Sequence, residues 1–215
     1  MVLQHDFPTD RIPDPVKKKV VIIMLTKETL KDIATAVEVV RRGGVILYPT
    51  DTIWGIGCDA ANVEAVERVY RIKRRADSKA LICLVGGENM LPFYSDSIPE
   101  VAYDLIECSE RPLTLIVDNA RNLAPSLLAE DGSVGLRVTK EEFSRTLCNR
   151  CKRALVSTSA NISGAPAPKS FAGISPEIIR AVDYVCTSRR DEKGNGKPSS
   201  IIKLTATSEI KIIRP

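Results

Sequence analysis

The sequence is poor in histidine and in aromatic residues, and it has no long apolar run. His5 is the single histidine among 215 residues, and it lies in a polar, proline-rich N-terminal stretch. The chain therefore lacks the residues for a histidine-activated nucleophile or a histidine-rich metal site. No apolar run approaches the roughly 20 residues of a membrane span, and no basic start with an apolar stretch marks a secretory signal. We expect a cytoplasmic protein with no membrane partner.

Cysteines are present but do not form a metal-binding pattern. Six occur, and only Cys148 and Cys151 have C-x-x-C spacing. A structural zinc site needs four ligands, and no second pair is placed to complete one. Free thiols without a secretory signal are typical of a reducing compartment. We predict no metal site from the sequence.

The charge is mildly basic overall and concentrated in one place. The chain has 31 basic and 27 acidic residues, for a net charge of +4. Five of the basic residues fall within nine positions of the chain. A cluster of this kind attracts nucleotide phosphates or RNA, although it is equally typical of a solvated helix end. The clustered residues are Arg71, Lys73, Arg74, Arg75 and Lys79.

Short apolar segments alternate with helical patterns along most of the chain. Strands that alternate with helices predict an α/β fold with one twisted, mixed β-sheet flanked by helices. We assign 1–19 to an N-terminal tail and 20–215 to a single domain. The predicted strands are 20–25, 45–57 with a bend at Pro49, 81–85, 113–117, 134–138, 154–158, and a hairpin of 199–204 with 209–214.

Two helices have clear start signals in the sequence. Thr26 is expected to cap the first helix, which ends at Gly43 and Gly44. Asn62 is expected to cap the second, which carries the basic cluster at its C-terminal end, where cations suit the helix dipole. The apolar stripe of the first helix is predicted to consist of Leu30, Ile33, Ala34 and Val37.

Polar side chains follow several of the predicted strands. Hydroxyls supply orientable hydrogen bonds, and arginine can grip a carboxylate or phosphate with two of them. Taken singly, the serines and threonines are explained by turn formation and Arg137 by a place on the surface of a strand. Together these residues predict a site for an anionic, oxygen-rich ligand. There is no P-loop or Rossmann glycine pattern, so chemistry here would depend on positioning and charge stabilisation. These residues are Thr50, Thr52, Arg137, Ser157, Ser159, Ser199 and Ser200.

Five segments in this order resemble the YrdC/YciO family of threonylcarbamoyl-adenylate synthases. They are "GGVILYPTDTIWGIGCDA", "RIKRR", "VGLRV", "LVSTSANISG" and "GKPSSIIKL". The resemblance covers about residues 27–214, and the combination of the P-T-D-T, K-x-R and S-T-S-A-N motifs is specific to the family. It implies a twisted α/β fold with a basic concave cleft. It also implies condensation of L-threonine, bicarbonate and ATP into threonylcarbamoyl-AMP, with release of pyrophosphate.

The resemblance also implies roles for individual residues. Lys73 and Arg75 would be catalytic, near the ATP phosphates and the developing carbamate. A magnesium ion is expected to accompany ATP, held mainly by phosphate oxygens and water because no acidic motif stands out. Threonine would be bound by Thr50, Arg137, Ser157 and Ser200. ATP would be bound by Lys73, Arg75, Ser159, Asn161, Ser199 and Arg214.

Two functions follow from the resemblance. The first is the synthase, whose product a tRNA threonylcarbamoyl transferase complex would use to modify tRNA. The second is a non-catalytic paralogue, similar to YciO, that binds double-stranded RNA or tRNA or associates with ribosomes. The intact Lys73, Arg75, Ser157, Ser159 and Asn161 favour the enzyme. Departures from the family pattern keep the second function open, and they include Trp54, Ala76, Lys79, Ala80, Glu110, Arg111 and the second serine of "PSS".

Overall fold

Most helices of the computed structural model begin at a side chain that satisfies free backbone N–H groups. The structure describes residues 25–75, 81–192 and 198–215. The oxygen of Thr26 accepts from the amide of Thr29 at 3.1 Å, and that of Asn62 accepts from Ala65 at 2.9 Å. Both predicted caps are therefore confirmed. The helices are α1 (Lys27–Arg41), α2 (Val63–Lys73), α3 (Leu91–Tyr94), α4 (Val101–Cys108), α5 (Glu142–Cys151) and α6 (Pro176–Ala181).

The buried face of α1 differs in part from the prediction. Ile33 and Val37 are buried as expected, but Ala34 is exposed, and Ala36 and Val40 are buried instead. Residues three, four and seven positions after Ile33 share its side of a helix, whereas the next residue lies about 100° away. The predicted stripe was therefore wrong at Ala34.

A mixed β-sheet is formed by nine strands in the described part of the chain. The order across the sheet is β7-β1-β2-β6-β3-β5-β4-β8-β9. The pairs β1–β7, β3–β5 and β4–β8 are parallel, and the other neighbours are antiparallel. The strands are β1 (Ile46–Tyr48), β2 (Gly55–Gly57), β3 (Ile82–Val85), β4 (Leu113–Val117), β5 (Val134–Val138), β6 (Leu155–Ser159), β7 (Tyr184–Val185), β8 (Ser200–Leu204) and β9 (Ile210–Arg214).

The predicted α/β fold, a mixed sheet flanked by helices, is confirmed, and so is the β8–β9 hairpin. Strand β7 was not predicted. The predicted strand 20–25 lies outside the described residues except for Leu25, which is not in a strand. None of the helices in the described ranges has the length and apolar character of a membrane span.

Close packing between strands fixes the turn that joins β1 to β2. At Gly57 an added Cβ would lie 2.4 Å from the carbonyl oxygen of Val156 and 2.7 Å from the Tyr48 ring. Only glycine fits such a contact, which lets β2 pair closely with β6. Gly55 pairs with Ser159, so the residues between β1 and β2 lie beside the end of β6.

Candidate active site

A cavity of about 460 Å³ brings together most of the polar residues predicted to form a site. Its wall is built by the β1–β2 turn, strands β5 and β6, the end of α2, and the chain entering and leaving the β8–β9 hairpin. The predicted residues in its lining are Thr50, Thr52, Arg75, Arg137, Ser157, Ser159, Ser199 and Arg214.

A second cavity, of about 500 Å³, lies where α1 and α5 end. Its cations Arg41, Lys152 and Arg153 lie at or next to helix C-termini. There they offset the negative end of the helix dipole. None of the predicted site residues lines this cavity, so we locate the candidate site in the first one.

The β1–β2 turn holds its two threonine hydroxyls in fixed positions. The hydroxyl of Thr50 donates to the carbonyl oxygen of Ile53 at 2.6 Å and accepts from the amide of Thr52 at 3.2 Å. The two hydroxyl oxygens are 3.1 Å apart. Because Thr50 donates its proton to Ile53, the hydroxyl of Thr52 donates to Thr50, and the oxygen of Thr52, which also lines the cavity, keeps acceptor capacity for a ligand.

Arg137 projects from β5 towards the same turn and forms a buried ion pair. Its Nη2 lies 3.0 Å from Oδ1 of Asp51, and the two side chains are only 3% and 11% exposed. Within the described residues, Nε of Arg137 is buried and has no hydrogen-bond partner. Burial raises the pKa of the Asp51 carboxyl, and Arg137 partly offsets this. Sequence reasoning missed Asp51, although its place inside the P-T-D-T motif was a signal.

Lys73, the last residue of α2, does not line the cavity. Its Nζ donates to the carbonyl oxygens of Ser159 at 2.5 Å and Asn161 at 2.7 Å, and its own carbonyl accepts from the amide of Ser163 at 2.8 Å. Burial, and then the charge of nearby Arg75, lowers the pKa of Lys73 to about 8. Lys73 therefore binds the segment that carries the S-T-S-A-N motif.

Asn161 lies in that segment and is also absent from the cavity lining. Its Nδ2 donates to the carbonyl oxygens of Ala165 at 2.6 Å and Ile162 at 3.1 Å. Its Oδ1 is buried and has no partner among the residues that the structure describes. A buried acceptor in this state has capacity for a ligand donor.

Arg214 closes the cavity from the end of β9. Its Nε donates to the carbonyl oxygen of Ser199 at 2.8 Å, and the hydroxyl of Ser199 lies 2.9 Å from that of Thr114. Burial, and then nearby Arg137, lowers the pKa of Arg214. Ser200 does not line the cavity, whereas Ser199 and Ile201 do, as the alternation of side chains along a strand requires.

The cavity is also lined by Trp54, which sequence reasoning did not assign to the site. The ring of Trp54 packs on that of Phe171 with centroids 4.9 Å apart, and the guanidinium of Arg190 lies 4.6 Å above Phe171. Lys169 also lines the cavity and was not predicted. The position of Trp54 in the first motif was a signal, whereas no motif marked Lys169.

The lining combines cations with hydroxyls. Arg75, Arg137, Lys169 and Arg214 line it, and no carboxylate does so in the described part of the chain. No group of three His, Cys, Asp or Glu side chains suited to a metal ion occurs among the described residues. Such a cavity can bind an anionic ligand and stabilise negative charge that develops on it.

The chain is similar to proteins of one known family. The Sua5/YciO/YrdC family model, described as "Telomere recombination", matches residues 38–215. A protein of Pseudomonas aeruginosa named threonylcarbamoyl-AMP synthase is 37% identical over 181 residues, which cover 84% of this chain and 95% of that protein.

Two solved structures are similar in fold. E. coli YciO aligns with a TM-score of 0.74 and 26% identity, over 88% of this chain and 90% of its own. A variant of P. abyssi Sua5 aligns with a TM-score of 0.78 and 26% identity, over 85% of this chain. The present chain spans only 56% of that Sua5 chain.

Proposed function

The chain belongs to the Sua5/YciO/YrdC family, and on that premise we propose that it is a threonylcarbamoyl-AMP synthase. The reaction joins L-threonine, bicarbonate and ATP, and it releases pyrophosphate and water. The observation that carries the proposal is 37% identity to a protein of that name over 84% of the chain. The cavity supports it because its cations and hydroxyls suit two anionic substrates.

The chemistry needs positioning more than an acid–base residue. The threonine ammonium first gives a proton to solvent, its nitrogen then attacks the carbon of bicarbonate, and loss of water leaves a carbamate. A carbamate oxygen then attacks the α-phosphorus of ATP, and the bond to pyrophosphate breaks. Arg75, Lys169 and Arg214 line the cavity and would stabilise the charge that builds up on the leaving phosphates. Holding the reactants together supplies much of the rate.

The amino acid would bind at the β1–β2 turn. Arg137 offers a buried cation for its carboxylate, and the hydroxyls of Thr50 and Ser157 line the space that its polar groups would occupy. A site that hydrogen-bonds a substrate hydroxyl rejects an analogue without one, since the protein groups would be left buried and unpaired. The proposal therefore includes selection of threonine over valine.

Lys73 acts indirectly in this proposal. Its Nζ is bound to the carbonyl oxygens of Ser159 and Asn161, so it fixes the segment beside the cavity, while Arg75 lines the cavity itself. Ser159 and Ser199 also line the cavity and would contact ATP, and the Oδ1 of Asn161, outside the lining, would accept a hydrogen bond from it. Ser200 would support the threonine site only as part of strand β8, because its side chain is not in the cavity lining.

Magnesium and the cell context are further parts of the proposal. The cavity lining in the described ranges has no carboxylate to hold Mg²⁺, so the protein offers no dedicated ligand set and the ion would be bound by phosphate oxygens and water. We place the enzyme in the cytoplasm, with residues 20–215 as its domain and 1–19 as a tail. A tRNA threonylcarbamoyl transferase complex would receive the product.

Pyrophosphate release tests the proposal directly. The purified protein is assayed with ATP, Mg²⁺ and bicarbonate, with L-threonine, serine, valine or no amino acid. Release that depends on threonine and is at least about tenfold weaker with valine is expected. Absence of release from folded protein that still binds ATP would favour the RNA-binding alternative, which the likeness to YciO keeps open. That alternative is then tested by salt-dependent binding of structured RNA.

A further inference from the structure

Asp51 and Arg137 connect two distant parts of the sheet. Arg137 lies in β5 and Asp51 in the turn between β1 and β2, and strands β2, β6 and β3 lie between them in the sheet order. The 3.0 Å ion pair therefore joins the turn to a strand on the other side of the cavity. An ion pair in this place can set the geometry of the cavity wall.

Both charged groups are held in a poorly solvated place. The side chain of Arg137 is 3% exposed, so its charge needs a partner, and Asp51 supplies one. Asp51 has two further charged neighbours: Glu141 raises its pKa, and Arg189 lowers it. Oε1 of Glu141 lies 2.9 Å from Nη1 of Arg189, so these two neighbours of Asp51 form an ion pair with each other.

One donor of the buried guanidinium remains to be satisfied. Nε of Arg137 is buried without a hydrogen-bond partner in the ranges that the structure describes, and Arg137 lines the cavity. An unpaired buried donor on a cation costs stability unless a ligand uses it. A carboxylate suits this geometry because it accepts from two neighbouring nitrogens of the guanidinium fork.

We propose that Asp51 is a positioning residue for the amino-acid substrate: it holds the guanidinium of Arg137 against the cavity wall, where it receives the substrate carboxylate. The inference rests on the proposed function and assigns a role to a residue that the sequence motifs left without one. Asp51 itself does not contact the substrate. It restricts the rotamers of a long side chain, so that less freedom is lost on binding.

Steady-state kinetics with four variants test this role. The variants are Asp51→Ala, Asp51→Asn, Arg137→Ala and the double variant Asp51→Ala with Arg137→Ala. In Asp51→Ala the KM for threonine is expected to rise about tenfold to a hundredfold, with the KM for ATP changed by less than about twofold. Asp51→Asn keeps the size of the side chain and should fall between wild type and Asp51→Ala. The double variant should be no worse than Arg137→Ala, because the two residues act as one unit.

A substrate analogue separates this role from general destabilisation. L-Threoninamide lacks the carboxylate, so wild type should bind it much more weakly than threonine in a calorimetric titration. Asp51→Ala and Arg137→Ala should lose most of that preference. Asp118→Asn is the matched control, because Asp118 forms an ion pair with Lys203 at 3.6 Å outside the cavity. Its kinetics and its preference should match those of wild type.

The outcomes separate the inference from the function on which it rests. If wild type neither binds threonine nor releases pyrophosphate with it, both are overturned. If wild type is active but Asp51→Ala keeps its threonine KM and its preference for the carboxylate, only the role of Asp51 is overturned. The same conclusion holds if the variant loses kcat alone. Should Asp51→Ala fail to fold, Asp51→Asn decides by the same two measurements.

Discussion

The side-chain nitrogen of Lys73 lies 2.5 Å from the carbonyl oxygen of Ser159, the last residue of β6. The same nitrogen lies 2.7 Å from the carbonyl oxygen of Asn161. Hydrogen bonds from an ammonium group are about twice as strong as neutral ones. These two hydrogen bonds join the end of α2 to the segment Ser159–Asn161, which begins in the cavity wall. The conformation of that segment should therefore depend on the charge of Lys73.

Replacing Lys73 by methionine should inactivate the enzyme without unfolding it. Methionine fills the buried space but donates no hydrogen bond, so the Ser159–Asn161 segment loses its link to α2. We expect pyrophosphate release to fall by about a hundredfold or more, as loss of two charge-assisted bonds implies. The free energy of unfolding in urea should fall by less than about 2 kcal/mol, because the cost of burying a charge is also removed.

Lys31→Met is the matched control for that variant. Lys31 is exposed on α1, away from the cavity, so its loss should change neither rate nor stability noticeably. If Lys73→Met retained activity within about threefold of wild type, Lys73 would have no role in organising the site.

The same lysine predicts opposite effects of alkaline pH on activity and on stability. Burial lowers its pKa from the ordinary value of 10.5 to about 8. Above pH 8 the folded protein loses the ammonium charge, and activity should decline. Between about pH 8 and 10.5 the unfolded chain binds more protons than the folded one, so the contribution of Lys73 to stability rises with pH in that window.

A pH–rate profile checks the predicted fall in activity, and urea unfolding at several pH values checks the predicted rise in stability. Lys73→Arg keeps its charge throughout this range, so its alkaline decline should move to higher pH. Lys73→Met should lack the part of the stability rise that belongs to this group. An alkaline decline that is unchanged in Lys73→Arg would assign it to another residue.

Helix starts could be predicted from the sequence because they depend on neighbours along the chain. Thr26 and Asn62 cap helices through residues three positions away. The buried face of α1 was harder to predict, because it includes a charged residue. Asp32 is buried, since its carboxylate accepts from the amides of Thr187 and Ser188 at 3.0 and 2.7 Å. No local pattern indicates a partner more than 150 residues away.

The site shows the same division between local and distant information. Motifs identified Thr50, Arg137 and Ser199, and all three line the cavity. They did not show that Arg137 pairs with Asp51, or that Lys73 points at carbonyl oxygens, because both contacts depend on how the strands are ordered in the sheet. Strand order is a property of the whole chain, and one sequence contains little direct information about it.

Thiol reactivity should report on burial of the cysteines. Cys108, at the end of α4, is exposed, and the other five are buried. Burial raises the pKa of Cys83 and of Cys151 to about 12, which keeps those thiols protonated at neutral pH. We expect one thiol to react rapidly with DTNB in the folded protein and six to react in denaturant.

Cys108→Ser provides the control for the thiol assay. It should remove the fast phase and leave five thiols that react only on unfolding. Activity should not change, since Cys108 does not line the cavity. A fast phase that persists in this variant would mean that a second cysteine is accessible in solution.

Asn161 should affect ATP more than threonine. Its Nδ2 is used by the carbonyl oxygens of Ile162 and Ala165, whereas its Oδ1 is buried and has no partner among the described residues. A donor on ATP, such as a ribose hydroxyl or the adenine amino group, would satisfy that oxygen. Asn161→Ala should therefore raise the KM for ATP by about tenfold, as loss of a buried hydrogen bond implies, with a smaller effect on threonine.

A second variant separates the two halves of the Asn161 amide. Asn161→Asp keeps the acceptor but loses the two donations from Nδ2 and adds a negative charge. If binding of ATP depends on the Oδ1 acceptor alone, this variant should bind ATP better than Asn161→Ala. If repulsion from the phosphates dominates, it should bind ATP more weakly, and raised salt should reduce the difference. Asn149→Ala, at an exposed position on α5, is the control and should leave both KM values unchanged. An unaltered KM for ATP in Asn161→Ala would place the nucleotide away from this amide.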